Sequence, residues 1–254
     1  MIIPGMVSAT FKDKSVEQII QLCTSANLRA IEWSENVHIM PGDPKGALTL
    51  YEMTKSAGLE IAAYGSYYRL GEYENPKEVF SISLQSAVAL KAPVIRVWAG
   101  TRPSTEADDT YRNKLAKEAL LLSNLAQKEG IKVAFEWHKN TLTDTNDSAM
   151  LLLEAAGADN LYCLWQPTAA LNMEERTKGI QMLGNRLLNF HIYYWKEGVR
   201  RPLAEGVGEW EQYLSEVNCN RNRYGLLEFV MDNLEEQFME DVKILHQLCQ
   251  MPSK

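Results

Sequence analysis

The chain has 254 residues, 46% hydrophobic and 23% charged, which suits a globular protein with one large core. A net charge of −7 argues against a general nucleic-acid binder, because such proteins need a basic surface to displace counterions. No apolar run approaches the roughly 20 residues that cross a bilayer, so no membrane partner is expected.

Cys23, Cys163, Cys219 and Cys249 are scattered, with no CxxC pair, and fit reduced thiols better than a disulfide framework. Met1-Ile2-Ile3-Pro4-Gly5-Met6-Val7 is too short and too broken to be a signal peptide. The expectation is a cytoplasmic protein that is mature from its first residue.

Residues 2–7 read as a first strand. Ser15-Val16-Glu17-Gln18 has the capping-box pattern, with Ile19, Ile20 and Leu22 as the apolar stripe of a helix ending near Ala26. A second strand over 28–33 precedes a loop with His38, Pro41, Gly42 and Asp43. A helix over 44–57 is stopped by Gly58, and a third strand covers 59–65.

Pro76 opens a helix carrying Val79, Ile82, Leu84 and Leu90, and residues 93–98 form strand four. A long helix follows the loop 99–108 and ends at Gly130, leading into strand five over 131–137. Then come a helix over 147–156, strand six over 161–165, a helix over 171–183 and strand seven over 187–192. A long loop over 193–209 holds Arg200, Arg201 and a Gly206-Val207-Gly208 hinge. A helix over 210–217, strand eight over 224–230 and a helix over 234–248 complete the chain.

Alternating strands and helices imply a parallel sheet. Eight such units within 254 residues imply an α/β protein, a single (β/α)8 TIM barrel over residues 1–254. An open doubly wound sheet would want a glycine-rich phosphate loop after an early strand, and neither GxGxxG nor GxxxxGK[ST] occurs.

A barrel of this kind carries its active site at the C-terminal strand ends. Apolar runs end there in Glu32, Arg96, Glu136, Gln166, His191 and Glu228. On strand five, Ala134, Glu136 and His138 share one side. Strands five and eight lie three steps apart in a ring of eight, so Glu136 and Glu228 face each other, with Gln166 and His191 between them. Three oxygen-bearing groups and an imidazole suit an octahedral divalent ion such as Mn²⁺ or Mg²⁺. One glutamate at a strand end is more often solvated or salt-bridged than a ligand, but four successive polar strand ends are harder to explain that way.

Two facing carboxylates suit proton abstraction beside a carbonyl, one removing the proton and the other returning it. Sugar epimerisation and aldose-ketose isomerisation both run this way. Trp33, Trp98 and Tyr67 (with Tyr68) are expected as apolar walls for a carbohydrate, although aromatics also favour strands for packing alone. Glu32, His38 and His138 are expected to reach substrate hydroxyls. Arg96, Arg200 and Arg201 would meet a substrate carboxylate or phosphate, or else pair with the surplus acids.

Phe135-Glu136-Trp137-His138, Phe190-His191-Ile192, Pro202-Leu203-Ala204-Glu205-Gly206 with Trp210, and Leu227-Glu228-Phe229 stand in a telling order. Together they resemble the xylose isomerase-like barrel superfamily, in its sugar-phosphate isomerase/epimerase branch. That branch includes tagatose 3-epimerase-like, hydroxypyruvate isomerase-like and inosose dehydratase-like enzymes.

The resemblance implies metal ligands at Glu136, Gln166, His191 and Glu228, the two glutamates doubling as the acid/base pair. It also implies Mn²⁺, Mg²⁺ or Zn²⁺ as cofactor, a small carbohydrate as substrate, and a homodimer or higher homo-oligomer. At strand six the chain departs from the family pattern. Gln166-Pro167-Thr168-Ala169 stands where the family often has Asp followed three residues on by His, which removes one negative charge and one substrate contact. The endonuclease IV-like branch uses a histidine-rich zinc centre, and only four histidines occur here. The main expectation is a metal-dependent sugar isomerase or epimerase. A dehydratase of a polyol ketone and a non-catalytic sugar-binding barrel remain the alternatives.

Overall fold

Helix starts lie where short polar side chains can catch the free backbone N–H groups of the first turn. In the computed structural model, which describes residues 1–217 and 221–251, Ser15 and Gln18 form the full capping box of α1 (Val16–Ser25). Asp43 accepts from Gly46 to open α2 (Pro44–Ser56), and Asp108 accepts from Tyr111 to open α4 (Asp109–Lys128). Between these two helices lies α3 (Pro76–Ala89). Gly58, at φ +76°, turns the chain out of α2 in the left-handed region that a side chain would disfavour.

The strands β1 (Ile2–Val7), β2 (Ala30–Ser34), β3 (Glu60–Arg69), β4 (Val94–Trp98), β5 (Lys132–Glu136), β6 (Leu161–Trp165) and β7 (Leu187–Ile192) pair in parallel in chain order. After β7 comes a hairpin of β8 (Tyr194–Lys196) and β9 (Val199–Arg201). The ring is closed by β10 (Arg223–Leu227), which pairs with β7 on one side and β1 on the other. The remaining helices are α5 (Asn146–Ala156), α6 (Met173–Leu183), α7 (Val207–Ser215) and α8 (Glu235–Cys249). This is the expected single (β/α)8 barrel. No described helix is long and apolar enough to cross a membrane. Cys23 and Cys163 are buried free thiols and Cys249 is a half-buried one, while Cys219 lies outside the described residues.

Strand alternation sorts the core into two layers. Outward residues such as Trp33, Trp165 and Phe190 join the large apolar layer under the helices. Inside the barrel Ala63, Val94, Ala134 and Leu164 pack together below the polar strand ends.

Two stretches differ from expectation. Strand β3 runs four residues beyond Gly65 to Arg69, through a shift in its register against β4, so Arg69 pairs with Trp98. The expected long loop after β7 contains the β8–β9 hairpin. Its two-residue turn, Glu197-Gly198, has both φ values positive (+52° and +79°), the turn geometry that matches strand twist. The Gly206-Val207-Gly208 hinge is instead the start of α7, which begins three residues earlier than expected, with Gly206 packed beneath Tyr194.

Candidate active site

The inward polar residues that meet at the mouth sit at or near the last position of a barrel strand or just past it. Glu136 ends β5, Gln166 directly follows β6, His191 is the penultimate residue of β7, and Glu228 directly follows β10. Glu228 is fixed by its backbone N–H, which donates to the Ile192 carbonyl at 2.9 Å. The next residue, Phe229, turns at φ +57°, a conformation that costs a non-glycine residue about 1–2 kcal/mol. Its ring packs on Tyr193 and Trp195 at the mouth.

Glu136, His191 and Glu228 each offer a ligand atom, and these three atoms lie within 4.8 Å of one another. All three residues are buried, and so is Gln166. His191 Nδ1 lies 3.4 Å from Glu228 Oε2 and 3.7 Å from Glu136 Oε1, without a well-formed hydrogen bond to either. His191 Nδ1, Glu228 Oε2 and Gln166 Oε1 are all buried without a hydrogen-bond partner. Orphaned polar atoms of this kind are costly inside a protein, and a divalent cation between Glu136, His191 and Glu228 would satisfy the His191 and Glu228 atoms, with the Gln166 amide adjacent through its bond to Glu136. The donor set of carboxylates, amide oxygen and imidazole fits Mn²⁺, Mg²⁺ or Zn²⁺.

A second ring of charge lies beneath. Glu32 is fully buried; its Oε1 accepts from Arg96 Nε at 2.8 Å and its Oε2 lies 3.0 Å from His191 Nε2. Arg96 reaches across with Nη1 to Glu136 Oε2, which also accepts from the Trp98 indole N–H. Gln166 Nε2 donates to Glu136 Oε1 at 2.9 Å and to the Trp137 carbonyl at 2.7 Å. Gly65 makes room for this network: a Cβ there would stand 2.7 Å from Glu32 Oε1 and 2.9 Å from Arg96 Nη2.

These contacts set the ionisation states. Burial alone would raise the Glu136 pKa, but Arg96 and His191 outweigh it and hold the carboxyl far below the usual range. Glu32 is lowered in the same way, by His191 and Arg96 against its own burial. Burial would lower His191, but the Glu32 and Glu228 carboxylates outweigh it and hold the ring well above its ordinary value. Arg96, flanked by Glu136 and Glu32, is raised despite burial.

Not every expected residue is placed at the mouth. Trp33 points outward, fully buried, with its Nε1 donating to Thr54 of α2 at 3.1 Å, because it has opposite parity to the inward Glu32. His38 is used up by Ser8 Oγ at 3.0 Å and the Lys14 carbonyl at 2.9 Å, beside a separate groove under α2. Glu32 is fully buried, with its oxygens bonded to Arg96 and His191. Arg96 is buried in its ion pairs rather than free for a substrate anion. Arg201 lies on the exposed hairpin in a two-pronged pair with Glu205, at 3.0 and 2.8 Å. Arg200 bonds Asn233 and lies over Trp195 and Phe229.

Trp98, Tyr67 and His138 do gather at the mouth. Tyr67 meets the Trp98 indole edge-on at 5.7 Å, and His138 stacks on it at 5.2 Å. His138 Nδ1 lies 2.7 Å from the Lys139 carbonyl, which can only accept, so Nε2 is the free acceptor. A cavity of about 340 Å³ opens beside this group, lined among others by His138, Gln166, Thr168, Tyr193, Trp195 and Phe229.

The fold and site together define a (β/α)8 protein with a buried carboxylate–imidazole centre at its C-terminal mouth. The family model of the xylose isomerase-like TIM barrel matches residues 20–248, and the chain belongs to that family. No curated protein sequence matches it.

Among similar solved structures is the probable 3-DHS dehydratase AsbF of Bacillus anthracis, with a TM-score of 0.78 at 21% identity over 97% of this chain and 99% of that one. An L-ribulose 3-epimerase superposes with a TM-score of 0.68 at 14% identity, over 96% of this chain and 91% of the other. The IolI protein with a bound zinc atom gives 0.69 at 13% identity, over 97% and 96%. At these identities the likeness shows a shared fold.

Proposed function

We propose that this protein is a divalent-metal-dependent isomerase or epimerase of a sugar or sugar derivative. The observation that carries the reading is the convergence of Glu136, His191 and Glu228 within 4.8 Å, with His191 Nδ1, Glu228 Oε2 and the adjacent Gln166 Oε1 all left without partners. Glu136, Gln166, His191 and Glu228 would hold the ion, which when bound polarises a carbonyl oxygen and stabilises the charge that develops on it.

The chain's own groups supply the rest. Glu228, whose Oε2 would ligate the ion, is the base that takes the proton beside the carbonyl on its other carboxylate oxygen. Glu136, loaded by Arg96, Trp98 and Gln166, is a weak base and a fixed anionic wall on the opposite side. Glu228 returning that proton to the neighbouring carbon gives an isomer, and a proton taken up from solvent and delivered to the same carbon on the Glu136 face gives an epimer. The relatives named above include an epimerase, which supports this reading.

His138 favours a second reading, dehydration of a polyol ketone. Its Nε2 is at the mouth and, when the ring carries a proton on both nitrogens, could give that proton to a departing hydroxyl, which leaves as water, after the same first step. The structural likeness to a probable dehydratase agrees with that.

The test is solvent-deuterium incorporation into a panel of ketoses and keto acids, followed by NMR, with Mn²⁺ and with EDTA. Exchange beside the carbonyl that needs Mn²⁺ and falls about 10²–10⁴-fold in Glu228→Gln is the expected result. Full exchange in Glu228→Gln would overturn the assignment of the base. Loss of one water from the product would select the dehydratase.

A further inference from the structure

The arginines expected to meet a substrate anion are all occupied. Arg96 is shared between Glu32 and Glu136, Arg200 is bonded to Asn233, and Arg201 is bonded to Glu205. Arg69, which strand β3 delivers to the C-terminal end of the barrel by running on past Gly65, is a cation there that has no ion pair with any described residue.

Arg69 is half-buried. Its guanidinium carbon lies 3.6 Å from the centre of the Trp98 ring, closer than the other arginine–aromatic contacts described above. It makes no ion pair and donates no side-chain hydrogen bond to any described residue. The ionisable groups near it are Glu72, Tyr73, Glu136 and Arg96. Glu72 accepts from Thr101 at 2.8 Å, and Glu136 is neutralised by Arg96. An arginine lying on an aromatic ring is common and needs no ligand. This one differs because the indole beneath it donates to Glu136, the residue that faces Glu228 across the reaction centre. A free guanidinium fork therefore lies one indole ring away from the proposed chemistry, with its donors unspent.

The geometry points to Arg69 as a specificity-determining residue that holds a carboxylate on the substrate, making the preferred substrate a polyhydroxy keto acid rather than a neutral ketose. This rests on the proposed function for the position of the reacting carbon. Two parallel N–H donors match a carboxylate. One guanidinium beside the site glutamates balances a monoanion. A phosphate dianion would want a second cation, and the neighbouring Arg96 is already held between Glu32 and Glu136. Trp98 holds the fork flat, so little side-chain freedom is lost when the anion docks.

The experiment is calorimetric binding to the Mn²⁺-loaded protein of three probes: 2-keto-D-gluconate, D-fructose and D-fructose 6-phosphate. The expected result is that the keto acid binds roughly 10- to 100-fold tighter than fructose, the worth of one charge-assisted pair. In Arg69→Met, which keeps an apolar stem on the indole, that preference disappears while fructose binding is unchanged. Arg69→Lys retains part of it. An unchanged melting temperature in Arg69→Met confirms that folding is intact.

Absence of keto-acid binding, equal affinity for acid and ketose, or a preference that survives in Arg69→Met would overturn the assignment. An Arg69-dependent preference for the phosphate over the keto acid would overturn the carboxylate. Binding is read without turnover. Failure of deuterium exchange therefore counts against the proposed function alone, and failure of the binding preference counts against Arg69 alone.

Discussion

Gln166 grips Glu136 from the side opposite Arg96: its Nε2 donates to Glu136 Oε1 at 2.9 Å and, at 2.7 Å, to the Trp137 carbonyl one residue further on. Both amide protons are spent on these bonds, and Oε1 is left buried and unpartnered. The neutral amide in place of the family's aspartate is thus wired into the site as a donor as well as offering an oxygen to a metal.

Gln166→Asp separates those two roles. An aspartate cannot donate, so the Trp137 carbonyl loses its partner and a second carboxylate faces Glu136. In EDTA the variant should lose about 2–3 kcal/mol of stability, the cost of an unsatisfied buried group and like-charge repulsion. Mn²⁺ should restore most of that loss, because the added charge favours the cation. Thermal unfolding with and without Mn²⁺ checks this; a variant as stable as the parent in EDTA would show that the donor role is unimportant.

Glu32 acts on the metal site through His191. A carboxylate on the far nitrogen of a ligating imidazole fixes its tautomer and orientation, and losing such a partner weakens metal binding by about 10- to 100-fold. Glu32→Gln should lower Mn²⁺ affinity by that factor in calorimetry. The Arg96–Glu136 pair survives the change, so the protein should still fold. Unaltered affinity would mean that His191 is held by packing alone.

Gly65 needs to be glycine for a reason found only in three dimensions. Its missing Cβ is the space in which the Glu32 and Arg96 side chains meet. Gly65→Ala should cost about 1–3 kcal/mol, the usual penalty for overpacking a core, and should weaken Mn²⁺ binding in parallel with Glu32→Gln. A destabilised variant with parental Mn²⁺ affinity would confine the role of Gly65 to packing.

Much of this was legible in the chain. Eight strand-helix units, their order and the inward glutamates follow from period-two and helical apolar patterns. Parity alone also places Trp33: if Glu32 faces inward its neighbour cannot, and a count of aromatics at strand ends hides that. Arg96 could be placed on the inner face, but alternation gives a side chain's direction and not its partner, so its double ion pair was not readable. Arg69 was missed because β3 slips register after Gly65 and continues, while sequence pattern ends the strand at the glycine. The Glu197-Gly198 turn was missed because its first residue lacks the Asn or Asp that usually marks a tight hairpin.

Metal uptake should be coupled to proton release. In the metal-free protein burial lowers His191, but Glu32 and Glu228 outweigh it and hold the ring well above its ordinary value of 6.5, which favours the charged form, whereas a ligand nitrogen must be free of its proton. The sign follows directly. A raised folded-state pKa stabilises the metal-free protein fully below 6.5, and that stabilisation fades as pH climbs through the folded value. The lowered Glu32 and Glu136 work in the opposite sense, but their contribution is lost only as pH falls below the ordinary 4.5, outside the range that matters here. The gap in melting temperature between Mn²⁺ and EDTA samples should therefore widen from about pH 6 to about pH 9, and calorimetry in buffers of different ionisation enthalpy should find about one proton released per Mn²⁺ near pH 7. A constant gap with no proton released would remove His191 Nδ1 from the ligand set and leave the ion to the carboxylates and the Gln166 amide.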